Sequence, residues 1–206
     1  MTIHSGFVHL NGNVMTAIDF ETTGTIPGYH EIIQVAAVAL DADLRPSKLV
    51  RPFYHNIAPL YPERQQHGAG DVHKLDLNWL QANAPSGERV ADLLVDWWEK
   101  LDLPVARKIV SLAHQYEFEA GFGKAWLGHE LFNDMFHWSA RDGMRLAISL
   151  NDRAAFVGEP IPFAGVGLNP LCKQLGIVNE NPHDALSDCY AEAEVYRTLL
   201  HYELFS

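Results

Sequence analysis

Glu31 to Leu40 reads EIIQVAAVAL, a run almost wholly apolar, and a strand of that composition belongs in the centre of a sheet. It frames its neighbours. Asn13 to Ile18 predicts a first strand before it, and Lys48 to His55 a third after it, with Asp41 to Ser47 as the turn between. Short turns between successive strands predict an antiparallel meander. An irregular loop is expected over Asn56 to Gly70, then helices near Asp71 to Ala82 and Glu88 to Leu101. The second of these places Val90, Leu93, Leu94, Trp97, Trp98 and Leu101 at helical spacing. Strands are expected at Lys108 to Ala113 and Phe136 to Ala140, helices over Glu117 to Leu131 and from Asp142, and a loop over Asn151 to Ala164. Helices at Val166 to Leu175 and Ala185 to Leu204 close the chain. Strands first, then strands alternating with helices, indicate an α/β domain with a mixed sheet.

The chain has 206 residues, is 48% hydrophobic and shows no internal repeat or linker, which fits a single domain over 1–206 with one sizeable core. No apolar run is long enough to span a membrane. The start, MTIHSGFVHLNGN, lacks the basic and apolar regions of a signal peptide. Cys172 and Cys189 suggest neither a disulfide framework nor a zinc site. The expected compartment is the cytoplasm. A net charge of −11 argues against a nucleic-acid coat protein, which needs a basic stripe. It leaves room for an enzyme acting on nucleic acid, because bound divalent metals bring positive charge locally.

The first strand runs into DFETTG, Asp19 to Gly24. Residues i and i+2 of a strand point to one face, so Asp19 and Glu21 converge. Two hard oxygen donors at one point suit Mg²⁺ or Mn²⁺. A second acidic place is NPHDALSDCYAEAEVY near the C-terminus. Were His183 and Asp188 both helical they would lie about 140° apart at ~100° per residue. Pro182 instead predicts a loop that carries His183 into the helix, with Asp184 as N-cap. The helical wheel groups Leu186, Cys189, Tyr190, Ala193, Tyr196 and Leu200 as the apolar stripe, with Asp188 at its edge beside Val195 and Leu199. A third place is AHQYEFE, Ala113 to Glu119, where a strand feeds a helix. Glu119 shares a flank with Phe122 and Trp126 and faces inward, whereas Glu117 is solvated. His114 closes the strand, as a structural or a catalytic histidine. Asp142 reads as an ordinary helix N-terminal acid.

With these residues in hand, the chain resembles the DnaQ-like 3′→5′ exonucleases of the DEDDh type, from Asn13 to Leu200. DFETTG is similar to the family's first motif, AHQYEFE to the second (HNxxFD) and HDALSD to the third (HxAxxD), in the family's order. GVGLNPLCKQLGI, Gly165 to Ile177, is similar to the segment before the third motif. The chain departs at Glu119, where the family has aspartate, and at Gln115, where it has asparagine. The resemblance implies a ribonuclease H-like fold, a mixed five-stranded sheet flanked by helices.

It also implies a mechanism. Asp19, Glu21, Glu119 and Asp188 would hold two Mg²⁺ or Mn²⁺ ions. Such ions, ~3.5–4 Å apart, activate a water and stabilise both the attacking and the leaving oxygen. His183 would be the general base, since an unperturbed histidine pKa of ~6.5 suits that task. Phe20, Thr22, Thr23, Gly24, Ile26, His114 and Gln115 would line the terminal nucleotide, with Ile26 as the apolar wedge. The expected substrate is the 3′ end of single-stranded DNA, the close rival RNA. A non-catalytic module that binds a nucleic-acid end or a polymerase is the reading from another class.

Overall fold

The structure is a computed structural model that describes residues 10–203. Five strands form one sheet in the order β3-β2-β1-β4-β5. β1 (Val14–Thr22) lies in the middle, antiparallel to β2 (Ile32–Ala39) and parallel to β4 (Ile109–Ala113). β3 (Phe53–Asn56) pairs antiparallel with β2, and the two-residue β5 (Arg141–Asp142) pairs parallel with β4. This is the mixed sheet with an antiparallel first half that the sequence predicts. Between β3 and β4 run a 3-10 turn at Pro62–Arg64 and the helices α1 (Ala69–His73), α2 (Leu77–Asn83) and α3 (Gly87–Glu99). Between β4 and β5 run α4 (Tyr116–Leu127) and α5 (His129–Met135), and after β5 come α6 (Gly143–Phe156), α7 (Leu168–Leu175) and α8 (Ala185–Leu200).

The alternation of β1 decides where chemistry can sit. Val14, Ile18 and Phe20 enter a core built with Val90, Leu94 and Trp97 of α3, Phe122 of α4 and Phe132 of α5. Met15 and Ala17 enter a second core, on the other face, with Ala185, Cys189, Ala193 and Tyr196 of α8. Burying each large side chain of this kind stabilises the fold by about 1.5–3 kcal/mol. Beyond Ala17 the odd-numbered residues on the α8 face are Asp19 and Glu21. α8 is itself clamped from outside by Ala147 and Leu150 of α6 and Leu171 of α7, which pack with its Val195 and Leu199.

Several boundaries differ from expectation. The third strand begins at Phe53, not Lys48, because Pro52 has no N–H for the ladder. The fifth strand is Arg141–Asp142 and not Phe136 to Ala140: Phe136 caps α5 and makes only an isolated bridge to Ile109. The helix expected over 117–131 is two, broken at Gly128 with φ +78°. The expected helix over 71–82 is likewise two, broken where Lys74 turns left-handed and Asp76 caps α2. α6 extends to Phe156, into the segment expected as a loop. α8 ends at Leu200, and the last part of the expected helix, at Leu204, lies outside the described residues, as do residues 1–9. Among the described residues no helix is long and apolar enough to cross a membrane.

Candidate active site

β1 does not stop at Ile18. It continues through Asp19 and Glu21 to Thr22, opposite Ala36, Gln34 and Ile32 of β2, with a register shift between Glu21 and Thr22. On its other side the pairing with β4 ends at Ala17 opposite Leu112. The even-numbered N–H groups of β1 point that way, as Val14 shows by donating to Lys108 O. Past Ala17 they have no strand to meet. The N–H of Phe20 is left instead to the carboxylate of Glu119, whose charged form it favours.

Glu119 reaches that point because α4 starts directly after β4. Gln115, with φ +76°, turns the chain. Asp142 then holds two helix starts, accepting from Tyr116 N at 2.9 Å and Arg145 N at 3.0 Å. That is the helix-terminal role its sequence context predicts. Glu119 is buried, facing inward with Phe122, and its Oε2 has no partner.

The other half of the site comes from the start of α8. Asp184 caps the helix by accepting from Ser187 N at 3.1 Å. Gln34, on β2 opposite Glu21, accepts from Ala185 N at 2.9 Å and donates to Asn56 Oδ1 at 2.9 Å. Tyr54 Oη donates to Asp184 Oδ2 at 2.5 Å. These bonds pin the helix end to the sheet beside Glu21. Asp188 accepts from Asn179 Nδ2 at 2.5 Å and from His183 N at 3.2 Å. Asn179 is oriented in turn by Ser187 Oγ, which donates to its Oδ1 at 2.7 Å. His183 sits in the loop, as its proline-preceded position predicts, with a left-handed φ of +67° that costs a non-glycine residue energy. Glu21, His183 and Asp188 each offer one ligand atom, all within 4.8 Å of one another.

A further acid went unseen in the sequence. Glu192 of α8 is 2% exposed, and its Oε1 accepts from His114 N at 3.0 Å. The wheel drawn from sequence is rotated: Tyr190 and Leu200 are 40% and 45% exposed, while Glu192 faces inward. The signal that finds it is the four-residue spacing from Asp188, which puts both on one side of the helix. Asn179 and Gln34 were also unseen, although Gln34 is the one polar residue of an otherwise apolar β2.

The charges bearing on Asp19 are all carboxylates: Glu119, Glu192, Asp188 and Glu21. Burial first, and these neighbours second, hold the Asp19 carboxyl well above the usual range. Burial and then the charge of Asp188 push Glu21 up to about 8. Burial also raises Glu119, Glu192 and Asp188, and the bonds from Asn179 and His183 oppose the rise at Asp188. The ion pairs of Arg145 and Arg197 lie elsewhere. Asp19 Oδ2, Glu119 Oε2 and Glu192 Oε2 are enclosed without partners. Buried anionic oxygens in that state require a cation or a proton. An all-oxygen donor set with one histidine at its edge fits a hard divalent ion such as Mg²⁺ or Mn²⁺.

The RNase T exonuclease family matches this chain over residues 16–196. The chain belongs to that exonuclease family. Its fold is that of exonuclease I from E. coli, whose complex with a dT13 oligonucleotide has 19% identity, a TM-score of 0.67, and 91% of this chain aligned with 41% of that one. Cell-death related nuclease 4 aligns at 15% identity and a TM-score of 0.70, over 92% of this chain and 64% of that one. A 3′-exonuclease solved recognising a histone mRNA stem-loop aligns at 15% identity and a TM-score of 0.65, over 97% and 66%. The chain therefore spans about two-fifths of the length of exonuclease I. No curated protein sequence matches it.

The exonuclease domain places the remaining sequence-predicted residues unevenly. Phe20 is a correction: its side chain faces away from the carboxylates, into the core, edge-to-face with Trp126. Thr23 is fully buried, its Oγ1 accepting from Glu31 N, so only its backbone borders the turn. Thr22 Oγ1 donates to Gly24 O at 2.7 Å. Gly24 has a structural reason to be glycine, since a Cβ there would lie 2.6 Å from the His30 ring. His30 in turn accepts from Ile26 N at 2.9 Å. Ile26 is 56% exposed at the tip of this turn, free to meet a ligand. Gln115 is exposed, whereas the His114 ring is engaged with Val166 O at 2.8 Å. Beside the turn lies a cavity of about 500 Å³ whose lining includes Tyr29, Tyr61, Arg64 and Trp126 but none of the five carboxylates.

Proposed function

We propose that this chain is a divalent-metal-dependent 3′→5′ exonuclease that hydrolyses the terminal phosphodiester of a single strand and releases 5′-mononucleotides. The observation that carries the reading is the meeting of buried carboxylates around Asp19, three of them with an enclosed, unpartnered oxygen. Asp19, Glu21, Glu119 and Asp188 would hold the metal, two ions in the fullest form. Bound there, Mg²⁺ or Mn²⁺ supplies positive charge to the phosphate and acidifies a water. The chain's own residues do the rest. The sheet fixes Asp19 and Glu21 at one spacing. Asn179 and the His183 N–H orient the Asp188 carboxylate. His183 takes the proton of the attacking water as general base, from a loop able to adjust around the substrate. The turn from Thr22 to Ile26 meets the terminal nucleotide, with Ile26 as wedge.

Single-stranded DNA is the first candidate substrate, supported by likeness to an exonuclease I solved with an oligonucleotide. RNA is the alternative, supported by likeness to a 3′-exonuclease solved with an RNA stem-loop. Tyr29 and Tyr61, over which the Arg64 guanidinium sits, offer bases of either kind a stacking platform. One observation favours an attenuated nuclease or an end-binding module without turnover of its own: Glu119 is a methylene longer than the family's aspartate, and its charge is already favoured by the Phe20 N–H. The test is end-labelled single-stranded DNA and RNA with Mg²⁺ or Mn²⁺, for the chain and for Glu119→Asp. Stepwise shortening from the 3′ end to mononucleotides is expected. Inertness of both proteins with both metals overturns the enzyme reading, and cutting by the aspartate variant alone establishes the attenuated one.

A further inference from the structure

Glu192 has two oxygens in unlike states. Oε1 accepts the His114 N–H at 3.0 Å, while Oε2 is enclosed and has no partner. The residue is 98% buried, being 2% exposed, and its charge bears on both Asp19 and Glu119. It stands one helical turn beyond Asp188, so α8 presents two carboxylates on the side that covers the end of β1.

The plain alternative is that Glu192 only caps the loose end of β4, where His114 leaves the strand. A neutral glutamine would serve that purpose equally, through the same Oε1. An ionised carboxylate adds a charge that must be desolvated, in a place already crowded with charges of the same sign. Such a group is tolerated where a cation completes it.

We propose that Glu192 is a fifth metal-binding carboxylate of this centre, joining Glu119 and Asp19 through its unpartnered Oε2. The inference rests on the metal-dependent reading above. The backbone bond at Oε1 fixes the rotation of the carboxylate and leaves Oε2 as its available donor. Glu119 is divided in the same way, one interaction going to Phe20 N–H and Oε2 remaining without a partner. Two long acids, one of them fixed by a backbone N–H, thus bear on the shorter Asp19. A fifth carboxylate outweighs the charge of two divalent ions by one, and so favours metal retention over attraction of a free polyanion.

The test is calorimetric titration of the full chain with Mn²⁺, without nucleic acid, for the natural protein and for Glu192→Gln. Glutamine keeps the acceptor for His114 N–H and removes the charge. Mn²⁺ binding is expected to weaken roughly 10–100-fold, the scale seen when groups supporting a metal are removed. The exposed acid Glu117, replaced by Gln, should leave the isotherm unchanged. Metal-free melting reports folding separately: Glu192→Gln should melt at or above the natural protein, since a carboxyl whose ionisation is opposed by burial and by the neighbouring acids is replaced by a neutral amide. An unaltered isotherm overturns the inference, and so does a lower metal-free melting point, which would mark a purely structural acid. If the natural chain itself binds no Mn²⁺, this inference and the metal-dependent reading fall together. Binding that is unaffected by Glu192→Gln removes only this inference.

Discussion

The candidate site has two halves that are held in different ways. Asp19 and Glu21 are carried by β1, where backbone pairing to β2 sets their positions. Asp188 and His183 are carried by the entry to α8, where side chains do the holding: Asn179, Ser187, Asp184, Gln34 and Tyr54. The strand half is rigid because its geometry is that of the sheet itself. The helix half can be loosened one hydrogen bond at a time. Substitutions in the first should therefore act as losses of a ligand, and those in the second as graded losses of position.

The largest effect is expected from Asp19→Asn, which removes the charge at the centre of the cluster. Loss of several kcal/mol of charge stabilisation corresponds to a fall in turnover of roughly 10³–10⁴-fold. Single-turnover kinetics would measure it, and a fall below tenfold would break the rigid-half picture. His183→Ala should lower turnover by roughly 10²–10⁴-fold while Mn²⁺ binding, read by calorimetry, persists. If binding weakens in step, His183 acts as a ligand beside Glu21 and Asp188, and its role as base is lost. Asn179→Ala should weaken Mn²⁺ binding by roughly 10–100-fold, with turnover recovered at high Mn²⁺. Failure of excess metal to restore turnover would show that the helix half is as unforgiving as the strand half.

A further effect concerns pH. Glu21 ionises near 4.5 in the unfolded chain and is pushed up to about 8 in the folded one. Between those values the folded chain keeps a proton that the unfolded chain has lost. The metal-free protein should therefore lose stability as pH rises from about 4.5 to 8. Added Mn²⁺ should raise the melting temperature more at pH 8 than at pH 5. A metal-free melting temperature that stays flat across this window would show that the protein already neutralises the cluster.

The strand half was legible in the sequence because a period of two is short and unambiguous: Asp19 and Glu21 fall on one face wherever the strand ends. The loop position of His183 was legible for a similar reason, since Pro182 restricts the backbone before it. What the sequence hid was the support. Glu192 is a charge, and pattern reasoning sends charges outward; only the neighbouring elements show that its side of α8 is covered. Asn179 and Gln34 act through partners up to 151 residues away in the chain, as the Gln34–Ala185 bond shows. The motif places Phe20 at the substrate, yet parity alone puts it on the opposite face from Asp19. The short β5 and the break at Gly128 depend on tertiary pairing and on one glycine, which local periodicity does not weigh.

β4 ends one rung too early for its neighbour, and the Phe20 N–H left open there acts on the Glu119 carboxylate. The same side chain meets the open end of the sheet on one side and an anionic cluster on the other. Shortening it to aspartate is then no conservative change: the carboxyl would draw back from the Phe20 amide or pull α4 inward. Chain length at position 119 is thus a coupling between the integrity of the sheet and the geometry of the centre.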